Sequence, residues 1–361
     1  MAHFSCTFLS EEEKDNLIKD VTYDEIKAGL WSLKAFKAPG VDGLHVGFFQ
    51  IFWHEVNESI CKEVGSIFSL GIMPECLNKT LIALVPKCQN QETINSYRLI
   101  SLCNTIYKAV TKIIVAQIHP LLSNLISPIQ AVFMLGRRGL DNVLIAQKLI
   151  HSIDKKNGRM GYMAIKVDLE KAYDKLEWSF IHKVLQGFHF PDQLIKVIMS
   201  CILSTSISIL LNGGTLKSFN PTRGIRQGDP LSPYIFILCM EYLGSLIDKK
   251  CMEGNWNPIK APRDNIGILT ILTKSVWKAT DDLMLFAIAN EENSETIKEV
   301  LELFCSESGQ KISTSKSRVY FSQNVDDDLK GRICGNLNIQ ATTNLGKYLG
   351  FPLKHKNTER N

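Results

Sequence analysis

Lys166-Val-Asp-Leu-Glu-Lys-Ala-Tyr-Asp174, taken together with Asp281-Asp282, is the stretch that decides the fold. The run Met163-Ala-Ile-Lys-Val167 alternates enough to predict a strand, with Asp168 at or near its end. A second apolar run, Leu283-Met-Leu-Phe-Ala-Ile-Ala289, begins directly after the two adjacent acids. An isolated Asp is most often a turn or helix-cap residue. Two strands that bring carboxylates to one sheet edge can instead hold a pair of Mg²⁺ ions. At about 3.5–4 Å separation such a pair stabilises both the attacking and the leaving oxygen of an in-line phosphoryl displacement. Mg²⁺ needs only a few carboxylates beside substrate phosphates, so Asp168, Asp281 and Asp282 suffice as ligands.

The segment between the acids sharpens this reading. Arg223-Gly-Ile-Arg-Gln-Gly-Asp-Pro-Leu-Ser-Pro233 combines two glycines that let backbone approach a ligand with Arg223, Arg226 and Gln227 as donors for phosphate, sugar or base. Asp229-Pro230 predicts a helix start, Asp as N-cap and Pro as first helical residue. Leu231, Ile235, Leu238, Tyr242 and Leu246 recur at steps of three or four, which predicts one buried face.

With these segments in hand, the sequence resembles the reverse transcriptase domain of non-LTR (LINE-type) retrotransposons, most closely the plant forms. Ala35-Phe-Lys-Ala-Pro-Gly-Val-Asp-Gly43 resembles the N-terminal motif of that class. Leu84-Val-Pro-Lys87 and Tyr97-Arg-Leu-Ile-Ser-Leu-Cys-Asn104 resemble the fingers motifs, and Ile126-Ser-Pro-Ile-Gln130 with Gly136-Arg137 follows. Asp168 to Tyr173 is similar to polymerase motif A, Arg223 to Pro233 to motif B, and Asp281-Asp282 to motif C. Ser308-Gly-Gln-Lys-Ile-Ser313 with Lys316-Ser317 is similar to motif D, and Tyr348-Leu-Gly-Phe-Pro-Leu353 closes the region.

The resemblance implies an α+β right-hand polymerase fold with fingers and palm, the thumb largely absent after residue 350. It also implies the roles. Asp168, Asp281 and Asp282 are the metal-binding catalytic carboxylates, Asp282 the weaker of the pair. Tyr173 stacks under the incoming sugar and rejects a 2′-hydroxyl. Lys87 and Arg98 clamp the triphosphate, Gln227 and Gly228 contact nucleotide and template, and Lys316 protonates the leaving pyrophosphate. Cofactors are two Mg²⁺ ions, with Mn²⁺ as substitute; partners are an RNA template, a DNA primer and deoxynucleoside triphosphates. His182 and His189 lack acids at ligand spacing and are read as structural.

Composition sets outer bounds. The 361 residues, 45% hydrophobic and 22% charged, fit an ordinary globular chain of two or three subdomains. A net charge of +4 does not by itself announce a nucleic-acid binder, although acids at a metal site can mask a basic cleft. The cysteines at 6, 61, 76, 88, 103, 201, 239, 251, 305 and 334 form no Cys-x-x-Cys knuckle, and they fit a reducing compartment. No secretory signal and no membrane-length apolar run is present, which predicts an intracellular protein of nucleus or cytoplasm.

Along the chain, residues 1–20 read as a mobile lead-in, 21–160 as N-terminal extension and fingers, 161–325 as palm, and 326–361 as palm end and start of a truncated thumb. Thr22-x-x-Glu25 is a capping box. Phe48, Phe49, Phe52, Trp53, Val56 and Ile60 form a helical stripe, read as core sooner than as base-stacking platform. Further helices are predicted over 107–122, 140–153, 178–187 and 192–203. Strands are predicted over 81–85 and 206–211, the latter ending at the hairpin signal Asn212-Gly213-Gly214.

Three departures from the family pattern stand out. Lys274 and Lys278 fall where the strand before the paired acids should be apolar, and Ala279-Thr280 replaces an aromatic-alanine pair. Leu99 and Leu135 occupy usual proline positions. These changes suggest a decaying genomic copy or a misplaced gene-model junction near residue 270. The alternative function is therefore an inactive remnant that binds nucleic acid; an intron maturase is a more distant alternative.

Overall fold

The computed structural model describes residues 8–87, 89, 93–127, 137, 139–156, 158–257, 259–260, 267–268, 270–272 and 282–353. The helices are α1 Glu11–Leu17, α2 Tyr23–Trp31, α3 Val46–Ile51, α4 Trp53–Leu70, α5 Thr105–Ile118, α6 Leu122–Leu125, α7 Gly139–Asp154, α8 Ala172–Lys175, α9 Trp178–Gly187, α10 Asp192–Leu203, α11 Ser232–Met252, α12 Glu291–Ser308 and α13 Asp327–Leu337. The first strands are β1 Lys79–Pro86, β2 Tyr97–Cys103, β3 Tyr162–Asp168, β4 Ser206–Leu211 and β5 Gly214–Thr215. After the short β6 Ile259–Lys260 and β7 Gly267–Ile268 come β8 Thr270–Leu272, β9 Asp282–Ile288, β10 Arg318–Phe321 and β11 Gln340–Ala341; β12 Lys347–Tyr348 and β13 Phe351–Pro352 form a last hairpin. No described helix is long and apolar enough to cross a membrane. All described cysteines are free.

The chain divides into two units, each discontinuous in sequence: Ile126–Lys175 with Cys239–Asn361, and Thr7–Leu125 with Leu176–Leu238.

The first unit is organised on a five-stranded sheet of order β11-β10-β3-β9-β8. β3 and β9 at its centre pair antiparallel from Tyr162↔Ile288 to Asp168↔Asp282. On one face Tyr162 and Ala164 of β3, Met284 and Phe286 of β9 and Tyr320 of β10 share a core with Val143, Ala146, Leu149, Ile150 and Ile153 of α7. The alternate residues Met163, Ile165, Val167, Leu283 and Leu285 are buried as well. Burial on both faces explains why the β9 run is continuously apolar. The strand that pairs with the start of β9 is Thr270–Leu272, in the register Leu272↔Leu283. The departures at Lys274, Lys278, Ala279 and Thr280 lie outside the described residues, as does Leu135.

The second unit carries a four-stranded sheet of order β2-β1-β4-β5, with β1–β2 antiparallel and β1–β4 parallel. Its apolar centre is α5, where Tyr107, Ala109, Val110, Ile113, Ile114 and Ile118 are all buried. Gly29 lets α2 approach α5 closely: a Cβ there would meet Ile113 Cγ1 at 2.8 Å and the Ala109 carbonyl at 3.2 Å. The Thr22–Glu25 capping box forms as expected. The helices over 178–187 and 192–203 and the strand over 206–211 match their predicted ranges. Asn212 and Gly213 both take positive φ, the conformation a two-residue hairpin requires.

Several expectations are corrected. Residues 11–17 of the supposed lead-in are a helix, with its own Ser10–Glu13 capping box and with Leu9 and Leu17 buried. The aromatic stripe is split between α3 and α4 by the non-helical Phe52; Phe49, Trp53 and Ile60 are core, while Phe48 and Phe52 are exposed. The helix expected over 107–122 ends at Ile118, and α6 follows. α11 starts at Ser232, because Asp229 Oδ1 accepts from the Leu231 N–H (2.9 Å) in a turn before the helix. Nor does the first half of α11 bury a single stripe: Ile235 to Leu243 are buried without a break, as for a helix surrounded by core, while Lys249 and Met252 near its end are exposed.

Candidate active site

In the first unit, β3 ends on Asp168, as its sequence pattern implies. The register sets Asp168 directly across from Asp282, so the last residue of one central strand meets the first of the other. Asp281 lies outside the described residues. The Asp168 side chain is 19% exposed, and Lys316 Nζ stands 3.7 Å from its Oδ1 with a side chain 70% exposed.

A short stretch after α12 fixes this strand end. The Ser313 N–H donates to the Asp168 carbonyl (2.8 Å), and the Asp168 N–H donates to the buried Ser317 Oγ (3.1 Å). Leu169 bridges to Ile312, the Glu170 N–H donates to the Lys311 carbonyl (2.8 Å), and Gln310 Nε2 donates to the Ala172 carbonyl (2.7 Å). Residues 168–172 are thus laced to 310–317 atom by atom. Tyr173 sits in the α8 turn that this lacing holds and is buried. Glu170 collects Lys175 (2.8 Å) and Lys311 (3.8 Å); the Lys175 hydrogen bond holds its carboxyl below the usual range.

Asp168 is a partly exposed strand-end carboxylate, the oxygen donor a hard divalent cation takes, with Asp282 across from it in register; the Lys316 ammonium is a competing charge that a bound cation would displace. Among the described residues no three His, Cys, Asp or Glu side chains form a metal-holding group.

In the second unit, Lys87 and Arg98 fall at the same end of the β1–β2 hairpin. Arg98 pairs with Val85, and the Lys87 N–H donates to the Ser96 carbonyl (2.8 Å), extending the ladder. Paired residues share a sheet face, so Val85 and Arg98 lie on one face, and Lys87 stands one residue beyond the end of β1. The loop bearing Gln227 and Gly228 is anchored to the same strand, where the Ser101 N–H donates to the Gln227 carbonyl (2.8 Å). Gly228 has φ +100, and a Cβ there would meet the Ser101 carbonyl at 3.2 Å, so the position demands glycine. Arg223 is exposed and ion-paired with Glu177 at 3.3 Å.

Arg226 is the clearest correction at the residue level. Expected to offer donors to a ligand, it is buried, with Nη1 on Asn78 Oδ1 (2.6 Å) and Thr80 Oγ1 (2.9 Å). Its Nη2 donates to the Cys201 carbonyl (3.0 Å) and reaches Asp229 Oδ2 at 3.4 Å, and its guanidinium lies over the Tyr107 ring at 4.1 Å. The Tyr107 hydroxyl completes the network by donating to Asp229 Oδ2 (2.6 Å). Burial pushes the Tyr107 phenol well above its usual range, against the opposing pull of Arg226. Asn78 and Tyr107 are isolated in sequence and carried no signal. Gln310 and Ser317 lay inside a recognised motif, but nothing local marked them as contacts to Asp168 and Ala172.

Residues 85–353 match the sequence pattern of the family described as reverse transcriptase (RNA-dependent DNA polymerase). An uncharacterized 149 kDa protein of transposon TX1 from Xenopus laevis is 27% identical over 309 residues, covering 86% of this chain and 23% of that protein. A Pol polyprotein of the type-2 retrotransposable element R2DM from Drosophila melanogaster is 25% identical over 225 residues, 62% of this chain and 20% of its own length. An uncharacterized mitochondrial protein of Arabidopsis thaliana is 41% identical over 56 residues, 16% of this chain and 46% of its own length. The chain therefore spans about a fifth to a quarter of the first two relatives. With three quarters of its residues inside the family pattern, this chain belongs to the reverse transcriptase (RNA-dependent DNA polymerase) family.

Proposed function

We propose that this chain is the RNA-directed DNA polymerase region of a non-LTR retrotransposon protein, extending a DNA primer on an RNA template with deoxynucleoside triphosphates. The observation that carries the reading is the direct pairing of Asp168 with Asp282 at the ends of the two central strands. Family membership and the transposable-element relatives support a polymerase over an inactive remnant.

The roles follow from the residues. Asp168 with Asp282 and Asp281 would hold two Mg²⁺, or Mn²⁺ in its place. Bound there, the ions would supply the positive charge that activates the primer hydroxyl and stabilises the departing pyrophosphate. Lys316, mostly exposed and within reach of Asp168, would donate the proton that the pyrophosphate takes up as it leaves. Lys87 and Arg98 would clamp triphosphate oxygens from one end of their hairpin, Arg98 with the option of a bidentate contact. Tyr173 would exclude a 2′-hydroxyl. Gln227 and Gly228 would present loop backbone and a carboxamide to nucleotide and template, and phosphate contacts would hold the duplex without reading its sequence.

Finer assignments belong to the same reading. The α+β architecture is that of palm and fingers, the palm built on the β3–β9 sheet and the fingers on the β1–β2 sheet. The short Arabidopsis match supports a plant-type element. The departures around 274–280 support a copy under decay, and nucleus or cytoplasm is the fitting compartment.

Primer extension by the purified chain on an RNA template with Mg²⁺ tests the proposal. Asp168→Asn should lower extension by roughly 10²–10³-fold or more, because charge stabilisation in the transition state is lost. Its thermal midpoint should stay within a few degrees of the parent. Equal extension by both proteins would overturn the assignment.

A further inference from the structure

The best-defined unexplained side chain near the site is Gln310. It is 4% exposed, its Nε2 donates to the Ala172 carbonyl at 2.7 Å, and its N–H donates to Ser308 Oγ at 3.2 Å. Its Oε1 is buried with no hydrogen-bond partner among the described residues. A buried amide is a poor choice for stability alone: an unmet acceptor loses its hydration without replacement, and an apolar side chain of the same length would avoid that. The side-chain bond it makes among the described residues falls on the carbonyl next to Tyr173. That carbonyl opens α8, a four-residue turn too short to define its own orientation. Lys171, immediately before it, has φ +48, a left-handed conformation that a non-glycine residue keeps only under outside restraint.

We infer that Gln310 is a specificity-positioning residue: its carboxamide, by gripping the Ala172 carbonyl, sets the position of Tyr173 and thereby the discrimination between deoxyribose and ribose. The inference rests on the proposed role of Tyr173 as the sugar-contacting ring. Gln310 touches no substrate in this scheme. The neighbouring bonds, Glu170 N–H to the Lys311 carbonyl and Ser313 N–H to the Asp168 carbonyl, are made by backbone and survive any substitution at 310. Loss of the carboxamide therefore frees the turn that carries Tyr173 while leaving the Asp168 strand end held. A sugar gate is sensitive to this, since an excess 2′-hydroxyl is rejected by a contact that a shift of about 1 Å relieves.

Single-nucleotide incorporation of matched deoxy- and ribonucleoside triphosphates gives the selectivity ratio directly. Gln310→Met, which keeps length and removes the donor, should lower that ratio about 10-fold while changing kcat for the deoxynucleotide by less than about 3-fold. Gln310→Leu, which removes the donor with a different shape, serves if the Met variant does not fold, with the same expected loss. Tyr173→Val is measured in parallel. If it relaxes selectivity and the foldable Gln310 variants do not, the inference is overturned and the Tyr173 role stands. If Tyr173→Val leaves the ratio unchanged, both fall. A parallel drop in both nucleotides with no change in ratio marks Gln310 as merely structural and also overturns the inference.

Discussion

Lys316 illustrates how a residue can be chemically available without being buried. Its Nζ lies 3.7 Å from Asp168, yet its side chain is 70% exposed, so the ion pair contributes little to stability. An amine held so loosely is suited to moving between a carboxylate and a leaving group. Lys316→Ala should lower the rate of nucleotide incorporation by about 10²-fold, the lower end for loss of a general acid, with little change in KM for the nucleotide. Rapid-quench kinetics separates the two parameters; a raised KM with unchanged kcat would assign Lys316 to ground-state binding instead. Arg226 is the opposite case. It stands one position before Gln227, in a motif full of donors, and only its burial shows that its donors are spent inside the protein.

At the scale of elements, the loop from Arg223 to Pro230 is held at several points, beginning with Gly224, whose N–H donates to the Leu176 carbonyl (2.8 Å) and whose carbonyl accepts from Trp178 Nε1 (2.8 Å). The backbone bond from Ser101 fixes Gln227 to β2, and the Arg226–Asp229–Tyr107–Asn78 network fixes the residues on either side. Removing one member of such a pair leaves a buried charge. Arg226→Met should therefore destabilise the protein by about 3–5 kcal/mol, and the double variant with Asp229→Leu should recover part of that loss. Urea unfolding of the single and double variants checks this; additive losses would show that the two charges are not coupled. The lacing of 168–172 to 310–317 has a different character. Most of its bonds are backbone, so it tolerates substitution except where a side chain makes the bond, at Gln310 and Ser317.

At the scale of the whole molecule, α11 carries an acid through the apolar interior. Glu241 lies within the unbroken buried run from Ile235 to Leu243. Burial pushes its carboxyl up to about 7, a hydrogen bond from the Ser127 backbone and the charge of Arg137 opposing and Asp248 adding to the rise. A carboxyl whose folded pKa is raised binds more protons in the folded than in the unfolded state. The stability it confers is full below its ordinary value of 4.5 and is lost as pH rises through about 7. Glu241→Gln should thus raise the thermal midpoint at pH 8 and flatten the decline of stability between pH 5 and pH 8. Thermal melts across that range check it; a variant with the parental slope would remove Glu241 as its source.

What the sequence determined by itself was local: the strand that ends on Asp168, the helices over 178–187 and 192–203, the Asn212-Gly213 hairpin and the capping box at Thr22. Each follows from periodicity, turn chemistry or a three-residue spacing, all of which act over a few neighbours. The motif order added the family and the candidate residues. Tertiary structure alone decided that Asp168 faces Asp282 in register, that Arg226 turns inward to Asn78 and Tyr107, and that Gln310 grips the turn of Tyr173. It also decided that α11 is buried all round from Ile235 to Leu243 and that Thr270–Leu272 is the partner of β9. Those outcomes depend on which distant segments meet, and a donor such as an arginine reads identically in sequence whether its partner is a phosphate or a buried aspartate.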